Sequence, residues 1–406
     1  MTTAEPALAR RLGFVLLTLY GLGVTIGAGI YVLVGKVAGA TGAFMPLAFL
    51  IAAALAGLTA LSFAELSVRF PKSAGEAVYV REGFRSEILS VVVGFLVAAI
   101  GIVASAAVAV GAAGYVAELV PLPRPALIAI IVVALTALAA WGIHESVLAA
   151  GIVTVIEIGG LLLVVAVAAP AMPDLPARLA EFAAAQEVAW GGFVMGILFC
   201  FFAFAGFEDM VNVVEEVRRP ERTMPWAIVA TLAVTAAIYV MVSLAALAVA
   251  TPRELAASEA PLALVFERAS GISPIPLLAI ASFATLNGIV ILTVMASRVI
   301  YGLSRQGSIP AVLGRVHPGT KTPVFATFAV GTVILVLALA VPLGILAEAV
   351  SVVILVVFAL VNLALGLIKR RDRGPVPGFH MPALWPWLAF AVSLAMLIAD
   401  AARRLA

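Results

Sequence analysis

Ten stretches of this chain contain no Asp, Glu, Lys or Arg, and each is long enough to cross a bilayer as a helix. They span 12–35, 37–64, 88–117, 125–144, 188–207, 223–252, 269–297, 322–347, 349–368 and 374–399. An eleventh, 146–170, is interrupted only by Glu157. A helix rises about 1.5 Å per residue, so roughly 20 apolar residues bridge the hydrocarbon core. The runs are continuous rather than alternating, and rich in Ala, Leu and Gly, which favours helices over a β-barrel. The chain therefore reads as an all-α polytopic membrane protein with about 11 transmembrane helices.

Composition closes off the alternatives. Of 406 residues 64% are hydrophobic and 11% charged, with a mean hydropathy of +1.20. Charge that sparse cannot cover a water-exposed globule, which excludes a soluble enzyme, a disordered tail, a collagen-like fibre and a basic DNA-binding domain. The 24 basic and 22 acidic residues produce no strong field, so the expected partners are the lipid bilayer and a small molecule, with no nucleic acid. Cys200 is the single cysteine, which rules out an internal disulfide and a cysteine-based metal cluster. No cleavable signal peptide is expected, because the first apolar run is too long and others follow it.

Loop Lys and Arg residues set the expected orientation. With the N-terminus inside, 16 of them fall on the inner side and 7 on the outer, while Arg298 lies within a span. An odd number of spans then puts the C-terminus outside, in a multi-pass protein of the cell membrane. The expected organisation is a cytoplasmic N-terminus at 1–11, five helices over 12–170, an outer loop at 171–189, five more over 190–368, and an inner loop with one extra helix over 369–406. The outer segments 171–189 and 251–273 contain Pro with mixed charge and are expected to hold short surface helices. Short polar turns are expected to join most of the others.

Two spans carry interruptions. Span one reads Gly21-Leu22-Gly23-Val24-Thr25-Ile26-Gly27-Ala28-Gly29-Ile30-Tyr31, and each Gly inside a helix costs about 1 kcal/mol relative to Ala. Span six reads Phe201-Phe202-Ala203-Phe204-Ala205-Gly206-Phe207-Glu208-Asp209, with a glycine and two carboxylates deep in an apolar run. Small residues also permit close helix packing, so either segment alone is ambiguous. Their positions in spans one and six point to breaks, because five spans followed by five with matching broken first members is an inverted-repeat pattern of secondary transporters. A break exposes N–H groups on one half-helix and carbonyls on the other, which suits a zwitterion.

The residues now resemble a known family. Thr25 to Tyr31, Pro71-Lys72-Ser73-Ala74-Gly75-Glu76-Ala77-Val78-Tyr79, Phe202 to Glu208 with Glu215 to Pro225, and Arg298 to Pro310 resemble, in order, the motifs of the amino acid–polyamine–organocation permeases, cationic-amino-acid-transporter-like subgroup. Ala74 stands where that family commonly has Gly. The resemblance implies a leucine-transporter-type fold and a secondary amino acid transporter, with an amino acid exchanger or a polyamine or amine transporter as the alternative. It places the substrate among Thr25, Ile26, Gly27, Ala28, Gly29 and Ile30 of helix one and Phe202, Ala205, Gly206 and Phe207 of helix six. The substrate carboxylate would lie on the N–H groups of Ala28 and Gly29. Its amino group would meet the carbonyls of Thr25, Phe202 and Ala205. Phe204 and Phe207, with helices three, eight and ten, would line an apolar side-chain pocket, which suits a neutral side chain.

Glu157 departs from the resemblance, since many relatives carry Lys there. A carboxylate near mid-membrane should face the interior and serve function. It is expected either to carry a proton through the transport cycle, giving symport, or to bind a cation such as Na⁺ together with first-helix carbonyls and Asn287 or Thr285. Glu208 is expected either to cap the restarted half of helix six or to gate it. No resident cofactor is expected beyond a coupling H⁺ or Na⁺. His144, His317 and His380 are too scattered for a zinc set. No nucleotide-binding G-x-x-x-x-G-K-[ST] loop occurs, and no Ser–His pairing suggests nucleophilic catalysis, so neither ATP hydrolysis nor an enzyme is expected. The oligomeric state stays open.

Overall fold

The computed structural model describes residues 8–117, 122–185, 190–258, 260–341, 343–372 and 378–405. Eleven helical elements follow the eleven expected crossings. They are α1 (Phe14–Thr41), α2 (Met45–Arg69), α4 (Glu87–Ala117), α5 (Arg124–Trp141), α6 (Ile143–Ala168), α8 (Trp190–Phe204) with its continuation Phe207–Glu216, α9 (Pro220–Val249), α12 (Ile275–Arg305), α13 (Val324–Ala340), α14 (Leu343–Arg371) and α15 (Trp385–Leu405). Four short helices sit in the connections: α3 (Gly75–Phe84), α7 (Leu175–Ala185), α10 (Pro252–Ala257) and α11 (Pro261–Ser270). The last three lie in the two segments where surface helices were expected.

The 5+5 architecture is written in the packing. α2 lies along α9, α4 along α12, α1 along α8 and α5 along α13, so each of the first four crossings pairs with the one five places later. α15 stands outside this scheme, against α14 and α2. Asn362 of α14 fastens it, donating to Thr59 of α2 at 3.0 Å and to Ser393 of α15 at 3.3 Å. The Trp385 indole N–H adds a bond to the Leu58 carbonyl at 2.9 Å. Buried polar groups of this kind lock helices whose apolar faces alone would slide.

Three boundaries differ from expectation. Lys36 does not mark the first turn: α1 carries it, exposed, and the chain reverses at Gly42–Phe44. The connection after α2 is not a short polar turn but the helix α3, whose residues Gly75 to Val80 are all buried. Span six restarts after its break, as expected, but as a ten-residue 3₁₀ helix, Phe207–Glu216, that buries Glu208, Asp209, Asn212 and Glu216. The burial of α3 and of Phe207–Glu216 was not expected because charge was equated with water, whereas Glu76 and Glu216 are held by protein partners.

The connection after α9 is built by a capping box. The Thr251 hydroxyl accepts the Glu254 N–H, the Glu254 carboxylate accepts the Thr251 N–H at 2.8 Å, and Pro252 fills the first helical position, where its missing N–H is harmless. The Thr251 N–H, then its hydroxyl and Arg268, push the Glu254 carboxyl down to about 2.

Candidate functional site

The α1 break is real and localised: Gly27 sits at φ 26°, ψ −150°, a conformation open to glycine and strained for other residues. A Cβ built on Gly27 would meet nothing within 4 Å, so conformation and not crowding requires the glycine. Between α8 and its continuation, Gly206 sits at φ 125°, ψ −24°. A Cβ there would lie 3.0 Å from the Val24 carbonyl carbon and 3.1 Å from the Thr25 nitrogen and Cα. The second break therefore rests directly on the backbone that leads into the first.

One side chain joins them. Tyr239 of α9, fully buried, places its hydroxyl 2.9 Å from the Thr25 carbonyl and 2.9 Å from the Ala203 carbonyl, with the Ile26 carbonyl at 3.4 Å. Its single proton is shared among acceptors from both interrupted helices. Phe204, tilted, and Phe49, edge-on, pack against its ring at centroid distances of 5.1 and 5.4 Å. Phe207 packs instead with Phe63 and Phe358 at 5.9 and 5.6 Å. Both candidate pocket phenylalanines are thus fully buried and face inward.

The sequence model of one family, described as amino acid permease, matches residues 12–401. The chain belongs to the amino acid permease family. It is 35% identical over 405 residues to an uncharacterized transporter of Mycobacterium tuberculosis (strain ATCC 25618 / H37Rv), covering 97% of this chain and 89% of the relative. The branched-chain amino acid permease BcaP of Bacillus subtilis (strain 168) is 29% identical over 421 residues, covering 98% of this chain and 89% of BcaP. The crystal structure of MhsT in complex with L-phenylalanine superposes with a TM-score of 0.67 at 15% identity, covering 97% of this chain and 99% of that one. The shared fold is the leucine-transporter type that the family resemblance implied. The chain is a multi-span transporter and not an enzyme.

Of the carbonyls expected to meet a substrate amino group, that of Thr25 accepts from Tyr239 and that of Phe202 accepts the Ala205 N–H at 3.2 Å. Ile26 and Ile30 are fully buried, and Thr25 is nearly so, its hydroxyl without a hydrogen-bond partner. Beyond their place in α1, Ala28 and Gly29 lie outside the described residues.

Glu157 falls on the inward stripe of α6 formed by Val147, Ala150, Thr154, Glu157, Leu161 and Val164, while Ile152, Val155, Ile156 and Leu162 face out. Among the described residues neither carboxylate oxygen has a hydrogen-bond partner. The Tyr31 hydroxyl reaches the Glu157 backbone carbonyl, at 3.3 Å, and not its side chain. The two proposed companions are not bonded to it. Thr285 donates to Ser282 of its own helix at 2.6 Å, and Asn287 donates to Thr154 at 3.1 Å, one helical turn from Glu157. Gly23 of α1 makes room for that pair: a Cβ on it would fall 2.3 Å from the Thr154 hydroxyl and 3.0 Å from the Asn287 amide.

Glu208 closes a local loop, its carboxylate accepting the Gly206 N–H at 2.7 Å. Beyond it a polar network joins the N-terminal end of the bundle. Arg298 of α12 donates through Nε and Nη2 to the two oxygens of Glu216 at 3.2 and 3.1 Å, with both side chains fully buried. Glu215 accepts from the Ser73 N–H and from the Tyr301 hydroxyl, at 2.9 and 3.3 Å. Leu12 pairs its backbone with Glu216 and Arg218 at 3.0 and 2.8 Å. Asn212 accepts the Gly75 N–H at 3.1 Å and donates to Glu76 at 3.2 Å. This bidentate, hydrogen-bonded geometry makes a buried ion pair tolerable.

Sequence reasoning missed Tyr239, the Thr154–Asn287 pair and the meeting of Glu76 with Glu208 and Asp209. The available signal was a polar side chain inside an apolar run, which at membrane depth reads as functional.

Proposed function

We propose that the protein is a proton-coupled amino acid symporter of the cell membrane, N-terminus inside and C-terminus outside, working by alternating access. The observation that carries this reading is the seating of one glycine break on the other, Gly206 against the Val24 and Thr25 backbone, which brings the interrupted segments of two helices together. The zwitterion would be held by backbone: its carboxylate by the N–H groups following Gly27, its ammonium by carbonyls near Thr25, Phe202 and Ala205. The open side of Gly27 is where such a solute has room. Tyr239 would fix the spacing of the two carbonyl sets.

Coupling falls to Glu157. A carboxylate buried in the bundle without a hydrogen-bond donor favours holding a proton over standing as a bare charge. Its lack of bonds to Thr285 or Asn287 argues for H⁺ ahead of Na⁺, which would want several oxygen ligands. Uptake of a labelled neutral amino acid into proteoliposomes, with and without an imposed pH gradient and with Na⁺ replaced by choline, tests both halves. Acid-outside conditions should drive accumulation in wild type. Glu157→Gln should remove that drive while leaving exchange across the membrane measurable. Accumulation that follows Na⁺, or an unaltered pH response in Glu157→Gln, would refute proton coupling at this residue.

A further inference from the structure

The end of α5 and the loop leading into α13 border a groove of about 490 Å³ that lies outside the site described above. Ala134, Ala137 and Trp141 of α5 line one side, Phe328 of α13 the other, and His317 and Thr320 of the loop close one end. Its volume falls in the range of roughly 300–1,000 Å³ in which ligand sites occur. Ile130 and Val133 of α5 and Phe325 of α13 are exposed apolar residues beside it, so hydrocarbon reaches the groove from the side. The loop is held firmly. Fully buried Thr322 donates its hydroxyl to the Ala140 carbonyl at 2.9 Å, which pins the loop to α5. The His317 N–H donates to the Thr322 carbonyl and the Lys321 N–H to the His317 carbonyl, both at 2.9 Å. The Thr320 N–H donates to Nδ1 of the His317 ring at 3.2 Å. In the neutral ring this leaves the proton on Nε2, a donor for which the described residues supply no acceptor. Arg315, exposed, and Lys321, half-buried, lie on the same loop, and neither is in an ion pair among the described residues. No Asp or Glu occurs from residue 268 to residue 347, so this stretch of chain offers them no counter-charge.

We propose that the groove seats an anionic phospholipid, with an acyl chain along Ala134 and Ala137 and the phosphate at the His317 loop. A phosphodiester brings acceptors only. The loop answers with the Nε2–H of His317 and the cations of Arg315 and Lys321, and α5 adds the indole N–H of Trp141. Trp141, 68% exposed at a helix end, occupies the level where an amphipathic ring meets lipid headgroups. Charge selects the lipid class: Arg315 and Lys321 favour a head of net negative charge over a choline head, whose cation cancels the phosphate. The lipid bridges α5 and α13, the fourth and ninth crossings, a pair that contains neither interrupted helix. It steadies that pair while the interrupted helices move, whichever solute they carry.

The full chain in liposomes of phosphatidylcholine and phosphatidylglycerol, with one lipid at a time brominated on its acyl chains, tests this by tryptophan quenching. The signal of Trp141 is the difference between wild type and Trp141→Phe. Brominated phosphatidylglycerol should half-quench it at a mole fraction roughly tenfold lower than brominated phosphatidylcholine. Arg315→Gln combined with Lys321→Gln should bring the two lipids within about twofold of each other. Ala137→Phe, which sets a ring into the groove from an exposed position, should weaken quenching by phosphatidylglycerol several-fold with every charge intact. Equal quenching by both lipids in wild type would overturn the site and leave ordinary bilayer contact. Quenching by neither would overturn it in favour of a protein neighbour over the groove. A preference that survives both sets of substitutions would place the lipid elsewhere and overturn the assignment to this groove. If a variant fails to fold, the wild-type comparison alone still decides between a lipid site and bulk lipid.

Discussion

The glycine at the first break stands in open space; the glycine at the sixth stands against backbone. Both adopt positive φ, and both would be strained by a side chain, yet only Gly206 has a neighbour that must move. The first break is thus uncrowded at Gly27, whereas the sixth bears, as a fulcrum, on the backbone that leads into it. The inverted repeat supplies two equivalent interruptions, and the packing around them divides the work. The restart is unequal too: the chain after Gly27 continues as α-helix, whereas after Gly206 it forms a 3₁₀ helix, tighter and poorer in hydrogen-bond geometry. That tighter winding carries Glu208, Asp209, Asn212 and Glu216 into contact with α3 and α12, which a solvent-facing half-helix would not do.

The largest effect should follow from Gly206→Ala. The added methyl combines conformational strain with overlap on the Val24 and Thr25 backbone, and together these cost roughly 3 kcal/mol or more. Thermal unfolding of the purified protein in detergent should drop markedly, and amino acid uptake should vanish. A stable, active Gly206→Ala variant would show that the two breaks do not touch as described.

Gly27→Ala should separate the two roles. Here only strain applies, about 1–3 kcal/mol, with no atom in the way. The variant should fold with a smaller loss of thermal stability than Gly206→Ala, while binding of a labelled amino acid falls at least as far. If instead both variants lose stability equally, the contrast between open space and fulcrum collapses.

The sequence disclosed this contrast only in part. Gly27 and Gly206 were legible because glycines and carboxylates inside an apolar run break a simple pattern. The crossings were legible as long runs without charge, and the short helices Leu175–Ala185, Pro252–Ala257 and Pro261–Ser270 fall in the two segments where Pro comes with mixed charge. The ends of the crossings were not, because Glu216 and Arg298 neutralise each other inside protein 82 residues apart in sequence, and no local count detects that. α3 was hidden likewise: its Glu76 finds Asn212 from across the chain. Tyr239 had no spacing signature at all. A tyrosine in a lipid-length run is equally consistent with a membrane interface, and only the fold shows that its hydroxyl meets two broken helices.

Tyr239→Phe probes whether those helices act as one. The ring remains, so the packing against Phe49 and Phe204 is kept, and only the hydroxyl between the Thr25 and Ala203 carbonyls is lost. Leaving buried acceptors short of a donor costs about 1–2 kcal/mol, the smallest effect of the three. Thermal stability should fall slightly, and because the hydroxyl holds both sides, apparent affinity for a neutral amino acid should weaken several-fold. Combining Tyr239→Phe with Gly27→Ala sharpens the comparison further. If Tyr239 acts by setting the first break against the sixth, the second substitution should add less binding loss in the double variant than it does alone, since the spacing it depends on is already gone. Full additivity would mean that the hydroxyl and the break serve the substrate independently, with Gly206 alone joining the two halves.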